Sequence, residues 1–214
     1  MPKQCKNLKS GMMAFSKEKY KMNIKSEKIK QEGIIDQFIV KYIAFNILPS
    51  LKKTNITPNM VTTFSLIISC ISIWNIHKDK YIIGSLLFLI RYILDCIDGP
   101  LARYTKTVTK FGDVYDHVVD LGTVVAFFIV AFTKKYSKKF YIGCIILFIT
   151  TFIHHSIIAQ RNTHQSDFIS SMLQFIPIDA NKFYWTQYLS TDITIVYMCI
   201  GILFLNKNIQ KIIG

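Results

Sequence analysis

At 214 residues, 51% of them hydrophobic and 18% charged, the chain has a mean hydropathy of +0.31, which is the composition of a membrane protein. Its formal net charge of +13 is uneven, with twelve lysines and four acidic residues in the first 53 positions, ahead of most of the apolar segments. That placement argues for contact with anionic lipid headgroups or a part in setting topology, and against a nucleic-acid surface.

Residues 1–32 are polar, lysine-rich and poor in aromatics, and are expected to form a basic tail that is disordered or becomes helical at a membrane. No short apolar core with a small-residue cleavage site follows these lysines, so no cleaved signal peptide is expected. Within 33–55, Ile34, Ile35, Phe38, Ile39, Tyr42, Ile43, Ile47 and Leu48 recur at spacings of three and four. This predicts an amphipathic helix lying in the interface, stopped at Pro49 because proline lacks the backbone N–H. Residues 56–214 are the membrane domain.

In that domain, apolar runs at 59–76, 80–99, 112–133 and 140–160 each approach the about 20 residues that cross a bilayer, and a fifth covers 189–205. The apolar stretch 167–178 is too short alone. It is expected to join part of 179–188 in a tilted sixth span, or to be a buried or re-entrant piece. The fold expected is therefore an all-α, multi-pass integral membrane protein of about six transmembrane helices preceded by an interfacial helix. Positive-inside reasoning places the lysine-rich end and the 100–111 connection, with Arg103, Lys106 and Lys110, in the cytoplasm. Lys134, Lys135, Lys138 and Lys139 run against that assignment. The five cysteines (Cys5, Cys70, Cys96, Cys144, Cys199) have no metal-ligand spacing and read as small core residues.

Of thirteen acidic residues, Asp95, Asp98, Asp113, Asp116 and Asp120 fall within 26 positions, at the end of one predicted span and the start of the next. A carboxylate inside a span costs roughly 2.5–3.5 kcal/mol on insertion scales, so this cluster needs compensation, which divalent cations supply. Asp95 and Asp98 are spaced i,i+3 and Asp116 and Asp120 i,i+4, so each pair projects from one helix face. Oxygen ligands without cysteine favour hard ions such as Mg²⁺ or Mn²⁺, and two such ions suit phosphoryl transfer. Between the pairs, Gly99, Pro100, Ala102, Arg103 and Gly112 predict a break between helices where a nucleotide can approach the backbone and Arg103 can hold a phosphate oxygen.

Read in full, the segment is Asp95-x2-Asp98-Gly99-x2-Ala102-Arg103-x8-Gly112-x3-Asp116-x3-Asp120. It matches every fixed position of the signature D-x2-D-G-x2-A-R-x8-G-x3-D-x3-D and so resembles the CDP-alcohol phosphotransferase family. The resemblance implies that Asp95, Asp98 and Asp116 bind metal, and that Asp120 shares a second metal and acts as general base. Gly99, Ala102, Arg103 and Gly112 would line the CDP site. Pro58-Asn59-x2-Thr62 resembles the family's P-N-x-x-T opening, implying that Asn59 and Thr62 lie near the nucleotide; a plain capped helix start explains the same residues. Also implied are a CDP-activated donor, an alcohol acceptor, membrane lipid as surroundings and a homodimer, with no nucleic acid.

Nearby residues have plainer readings. Asp113 is expected to face water in its helix's first turn. Arg91, four residues before Asp95, is expected to form an ion pair with it. His154 and His155 point about 100° apart and are expected to face the interface, with His154 a secondary candidate for the acceptor site. Arg161, at a span's end, is the other candidate, either holding an acceptor phosphate or anchoring the helix. Three functions stay open. Phosphatidyl transfer from CDP-diacylglycerol comes first; an aminoalcohol phosphotransferase of the CDP-choline or CDP-ethanolamine type is favoured by Asp116-His117-Val118-Val119-Asp120. A membrane cation carrier would use the carboxylates but gives no reason for the glycine, alanine and arginine spacings.

Overall fold

The computed structural model describes residues 33–134, 136–161, 179 and 184–204, and within these not the side chains of 159, 161, 184 and 187. The tail 1–32 and the stretch 167–178 lie outside the described residues. The regular elements described are all helical: α1 (Ile34–Lys53), α2 (Pro58–His77), α3 (Tyr81–Thr105), α4 (Lys110–Thr133), α5 (Lys138–Arg161), a 3-10 turn at Tyr184–Leu189 and α6 (Thr191–Phe204). By length and composition α1, α2, α4 and α5 can each cross a membrane. Helix α3 is as long but carries Arg91, Asp95 and Asp98, and α6 is apolar but shorter. Large apolar side chains such as Ile67, Leu86, Ile129 and Ile145 cover the outside of the helices, as a lipid surround requires.

The stop expected at Pro49 does not occur, because α1 runs through it to Lys53. Proline within a helix costs about 3 kcal/mol. Against this, Ile39, Val40, Ala44 and Leu48 pack into the face that meets α3 and α6, and close packing there holds the helix in one piece. The turn just before the proline, Val40–Ala44, is π-helical and keeps both halves of that face on the core. Nor does α1's length set it apart as an interfacial element.

Two aspartates, one buried and one half-buried, attach α1 to the bundle. Asp192, at the head of α6 and fully buried, accepts from Ile35 N at 2.8 Å, Ser190 Oγ at 2.6 Å and Ile193 N at 2.8 Å. Gly33 packs so closely on Asp192 and Ser190 that a side chain there would overlap them. In the same first turn of α1, Asp36 accepts from the Tyr92 hydroxyl and, at 3.4 Å, from Cys96 Sγ, both on α3.

Helix α2 is the wall against which α3 packs along its length and α4 more lightly. Ser65, Ser69 and Ser72 are almost fully buried on α2, and Ser72 Oγ donates to the Gly84 carbonyl of α3 at 2.7 Å. Small residues permit this close approach. At the Asp79 end of the bundle, Lys134 Nζ and Tyr81 Oη each donate to Asp79 Oδ1 at 2.5 Å, and the ammonium holds that carboxyl below its usual range. The turn 78–80 and Lys134, just past the end of α4, therefore share one end. Toward it, Phe88 of α3 and Phe127 of α4 pack at 5.6 Å within an aromatic core that includes Tyr136 and Phe140.

The break expected between the two pairs of aspartates is present, and it falls in the later part of that segment, after Gly99, Pro100, Ala102 and Arg103. Helix α3 continues to Thr105, and the chain turns at Lys106, whose φ of 60° is left-handed. Thr107 N closes the turn on the Ala102 carbonyl at 2.9 Å, a helix stop that usually carries glycine. Thr109 then caps α4, accepting from Gly112 N at 3.0 Å.

Candidate metal centre

Because α3 and α4 are antiparallel across the 106–109 turn, the end of one faces the start of the other. Asp95, Asp98 and Asp116 each turn one carboxylate oxygen toward a common point, and these oxygens all lie within 4.8 Å of one another. Asp98 is 5% exposed and Asp95 and Asp116 are half-buried. Thr62 of α2 donates to Asp98 Oδ2 at 2.6 Å, and one oxygen of Asp116, Oδ1, is buried with no hydrogen-bond donor among the described residues. Three converging carboxylates, one with an orphaned buried oxygen, are repulsive as they stand, and a hard divalent cation relieves that repulsion. Two oxygens on opposite sides of an ion at about 2.1 Å stand about 4.2 Å apart, so the group closes on Mg²⁺ or Mn²⁺ with small side-chain adjustments.

The fourth aspartate of the motif is placed differently. Asp120 is ion-paired with Arg91, which is 3% exposed and also donates from the same Nη2 to Asp95 Oδ1 at 3.2 Å. The sequence reading of Arg91 as a partner of Asp95 thus captures one of its two carboxylates. Asp120 is 38% exposed and outside the three-oxygen group. Asp113 also stands apart, with its carboxylate 3.8 Å from His117 Nδ1, which donates to the Asp113 carbonyl at 2.7 Å.

The other motif residues frame the same end of the bundle. A methyl on Gly112 would stand 3.0 Å from Asn59 Oδ1 and 3.1 Å from Thr109 Oγ1, so glycine there lets the Asn59 amide reach the start of α4. At the α2 start Thr57 accepts from Met60 N as the cap with Pro58 at the first turn, so the plain helix start is found, and Asn59 and Thr62 face the motif helices. Thr62 is 3% exposed and bound to Asp98, a position that supports the carboxylate. The Arg103 guanidinium folds back over Gly99, and Ala102 is half-buried beside it in sequence. We expect Thr62→Val, which keeps the shape and removes the hydroxyl, to weaken Mn²⁺ binding by about 10–100-fold while the protein still folds. Titration of bound Mn²⁺ on purified protein reads this directly, and unchanged affinity would mean that Asp98 needs no such support.

The candidates for an acceptor site divide. His154 is 6% exposed with Nδ1 3.3 Å from Thr186 Oγ1, so it is packed inward where an interface-facing ring was expected, and only His155 is exposed. Arg161 ends α5, and its side chain lies outside the described residues. Sequence reasoning missed the links from Asp36 to Tyr92 and from Asp192 to Ile35. The available signal was a lone acidic residue in each of two apolar helical stretches.

A sequence model of the family described as CDP-alcohol phosphatidyltransferase matches residues 55–214. Among curated proteins, the chain is similar to an archaetidylinositol phosphate synthase from Pyrococcus horikoshii, 31% identical over 71 residues, covering 33% of this chain and 38% of that protein. It is also similar to a CDP-diacylglycerol–serine O-phosphatidyltransferase from Helicobacter pylori, 34% identical over 86 residues, 40% of this chain and 34% of that one. An uncharacterized protein from Aquifex aeolicus is 35% identical over 68 residues, 32% of this chain and 35% of its own. The matches thus span little more than a third of these relatives.

Proposed function

Since this chain belongs to the CDP-alcohol phosphatidyltransferase family, we propose that it moves a phosphatidyl group from CDP-diacylglycerol to an alcohol and releases CMP. The observation that carries the reading is the convergence of Asp95, Asp98 and Asp116 at the end of two antiparallel helices, beside Asn59, Gly112 and the Arg103–Gly99 contact. These residues suit a nucleotide diphosphate: carboxylates to hold Mg²⁺ or Mn²⁺, a guanidinium for phosphate oxygens and glycines where the ligand approaches the backbone. Two bound divalent ions, held by Asp95, Asp98, Asp116 and Asp120, would neutralise the pyrophosphate as its bond breaks.

In the mechanism proposed, Asp120 takes the proton of the acceptor hydroxyl. The hydroxyl oxygen forms its bond to the β-phosphorus while the bond from that phosphorus to the bridging oxygen breaks, and the electron pair leaves with CMP. No covalent enzyme intermediate is needed. Arg103, Gly99, Ala102, Gly112 and Asn59 would orient the departing nucleotide. His154 and Arg161 remain the proposed acceptor contacts, with Arg161 suited to a phosphorylated alcohol.

We place the centre on the cytoplasmic side at headgroup depth in a multi-pass homodimer, with α1 along the interface. The support is the lysine-rich N-terminal sequence together with Arg103, Lys106 and Lys110 at the 106–109 turn. If α1 crossed the membrane, that turn would move to the side opposite the N-terminus. A Thr107→Cys variant is therefore expected to react with a membrane-impermeant thiol reagent only when the side bearing the N-terminus is open. Labelling from the other side alone would assign α1 as a span.

The reaction is tested by CMP release from purified protein given CDP-diacylglycerol, Mg²⁺ or Mn²⁺ and a panel of alcohols. Serine and an inositol phosphate head the panel, because the relatives' names carry those groups. CDP-choline and CDP-ethanolamine with diacylglycerol test the second reading, for which His117 between Asp116 and Asp120 speaks. Metal-dependent CMP release establishes the class. None from folded protein, with divalent ions crossing proteoliposomes instead, would make the chain a cation carrier.

A further inference from the structure

Arg91 is a cation deep in α3, 3% exposed, on a stretch whose neighbours Leu89, Ile90, Ile93 and Leu94 are apolar. One of its terminal nitrogens binds both Asp95 and Asp120, while its Nε has no acceptor among the described residues. The guanidinium therefore stands on the carboxylates that a second divalent ion would need, and Asp120 is drawn away from the group formed by Asp95, Asp98 and Asp116. A guanidinium cannot give up its charge, so a divalent ion entering between Asp95 and Asp120 must displace or repel it. Once one ion binds the three converging oxygens, the four carboxylates and Arg91 leave little negative charge to attract another.

We propose that in the donor-free protein Arg91 takes the place of the second divalent cation, neutralising Asp95 and Asp120 so that a single ion site is open. The proposal rests on the phosphatidyltransferase reading, since it concerns the metal requirement of the same centre. Arg91 is on this view a positioning residue: it sets how many ions the resting protein holds and where the Asp120 carboxylate waits.

The test counts Mn²⁺ bound at saturation to the full chain in detergent micelles, by equilibrium dialysis with the free ion read by electron paramagnetic resonance. The wild-type protein is expected to hold one tightly bound Mn²⁺ per chain. Arg91→Gln, which removes the charge, is expected to hold two, and Arg91→Lys one. Arg91→Gln combined with Asp120→Asn is expected to return to one, because the freed site has lost its own ligand. Two tight ions in the wild-type protein overturn the proposal with no variant needed. So does a single ion in folded Arg91→Gln. CMP release is measured on the same wild-type preparation: two ions with activity intact would overturn this inference alone, whereas no bound ion and no CMP release would overturn the phosphatidyltransferase reading with it.

Discussion

Asp120→Asn is expected to slow CMP release by roughly 10²–10⁴-fold, the range lost with a positioned general base, while the protein still folds and still binds one Mn²⁺. Asparagine has the size of aspartate but cannot accept the acceptor's proton. Arg91 keeps its contact with Asp95, and Asp95, Asp98 and Asp116 are untouched. The comparison that gives this result meaning is Asp116→Asn, which removes an oxygen ligand from the converging group and should lower both activity and Mn²⁺ affinity. Parallel titrations and rate measurements separate the roles. If Asp120→Asn lost ion binding as fully as Asp116→Asn, Asp120 would belong among the ligands of the first ion and the base would have to be sought elsewhere.

A second large effect is expected far from the chemistry. Asp192→Ala should destabilise the protein by about 3–5 kcal/mol, seen as a fall of about 10 °C or more in the melting temperature of the detergent-solubilised protein. The Asp192 carboxylate is fully buried and receives Ile35 N, Ser190 Oγ and Ile193 N. Alanine would strand those donors, and each buried donor left unsatisfied costs about 1–3 kcal/mol. Since Ile35 N belongs to α1, its release should also speed proteolysis within Ile34–Lys53. Melting and cleavage both unchanged would mean that water reaches these donors and α1 is held by its apolar face alone.

The chemistry was legible in the sequence because it is local. Asp95, Asp98, Asp116 and Asp120 lie on two consecutive helices joined by a short turn, so helical spacing and one reversal of direction bring them together. The start of α2 was legible for a similar reason, since its apolar run follows directly on the Thr57-Pro58 cap. What could not be read depends on partners remote in the chain. Pro49 signals a stop only if nothing outweighs it, and what outweighs it is the burial of Ile39, Val40, Ala44 and Leu48 against α3 and α6. Gly99 and Pro100 do mark a segment in which the helix breaks, but not the place, since the chain turns at Lys106, a residue with no preference for the left-handed region. Asp192 meets Ile35 across 157 positions, and no periodicity reports such a pairing. The Arg91–Asp95 pair is a matter of spacing; the contact of Arg91 with Asp120 needed the side chains of α3 and α4 to meet across the gap between the two helices.

The wide turn at Val40–Ala44 makes the length of α1 matter residue by residue. Each residue removed from a helix rotates the part before it by about 100° relative to the part after it. Upstream of the turn stand the two attachments, Ile35 to Asp192 and Asp36 to Tyr92; downstream stand Ala44 and Leu48 in the core. Dropping one residue from the regularly wound parts of α1 would swing Asp36 a quarter turn from Tyr92 and carry the Ile35 N–H from its acceptor, whereas dropping one inside the wide turn would restore regular winding with both flanks near their present register. Homologous chains that preserve both attachments should therefore tolerate the loss of one residue within this turn far better than its loss elsewhere in α1.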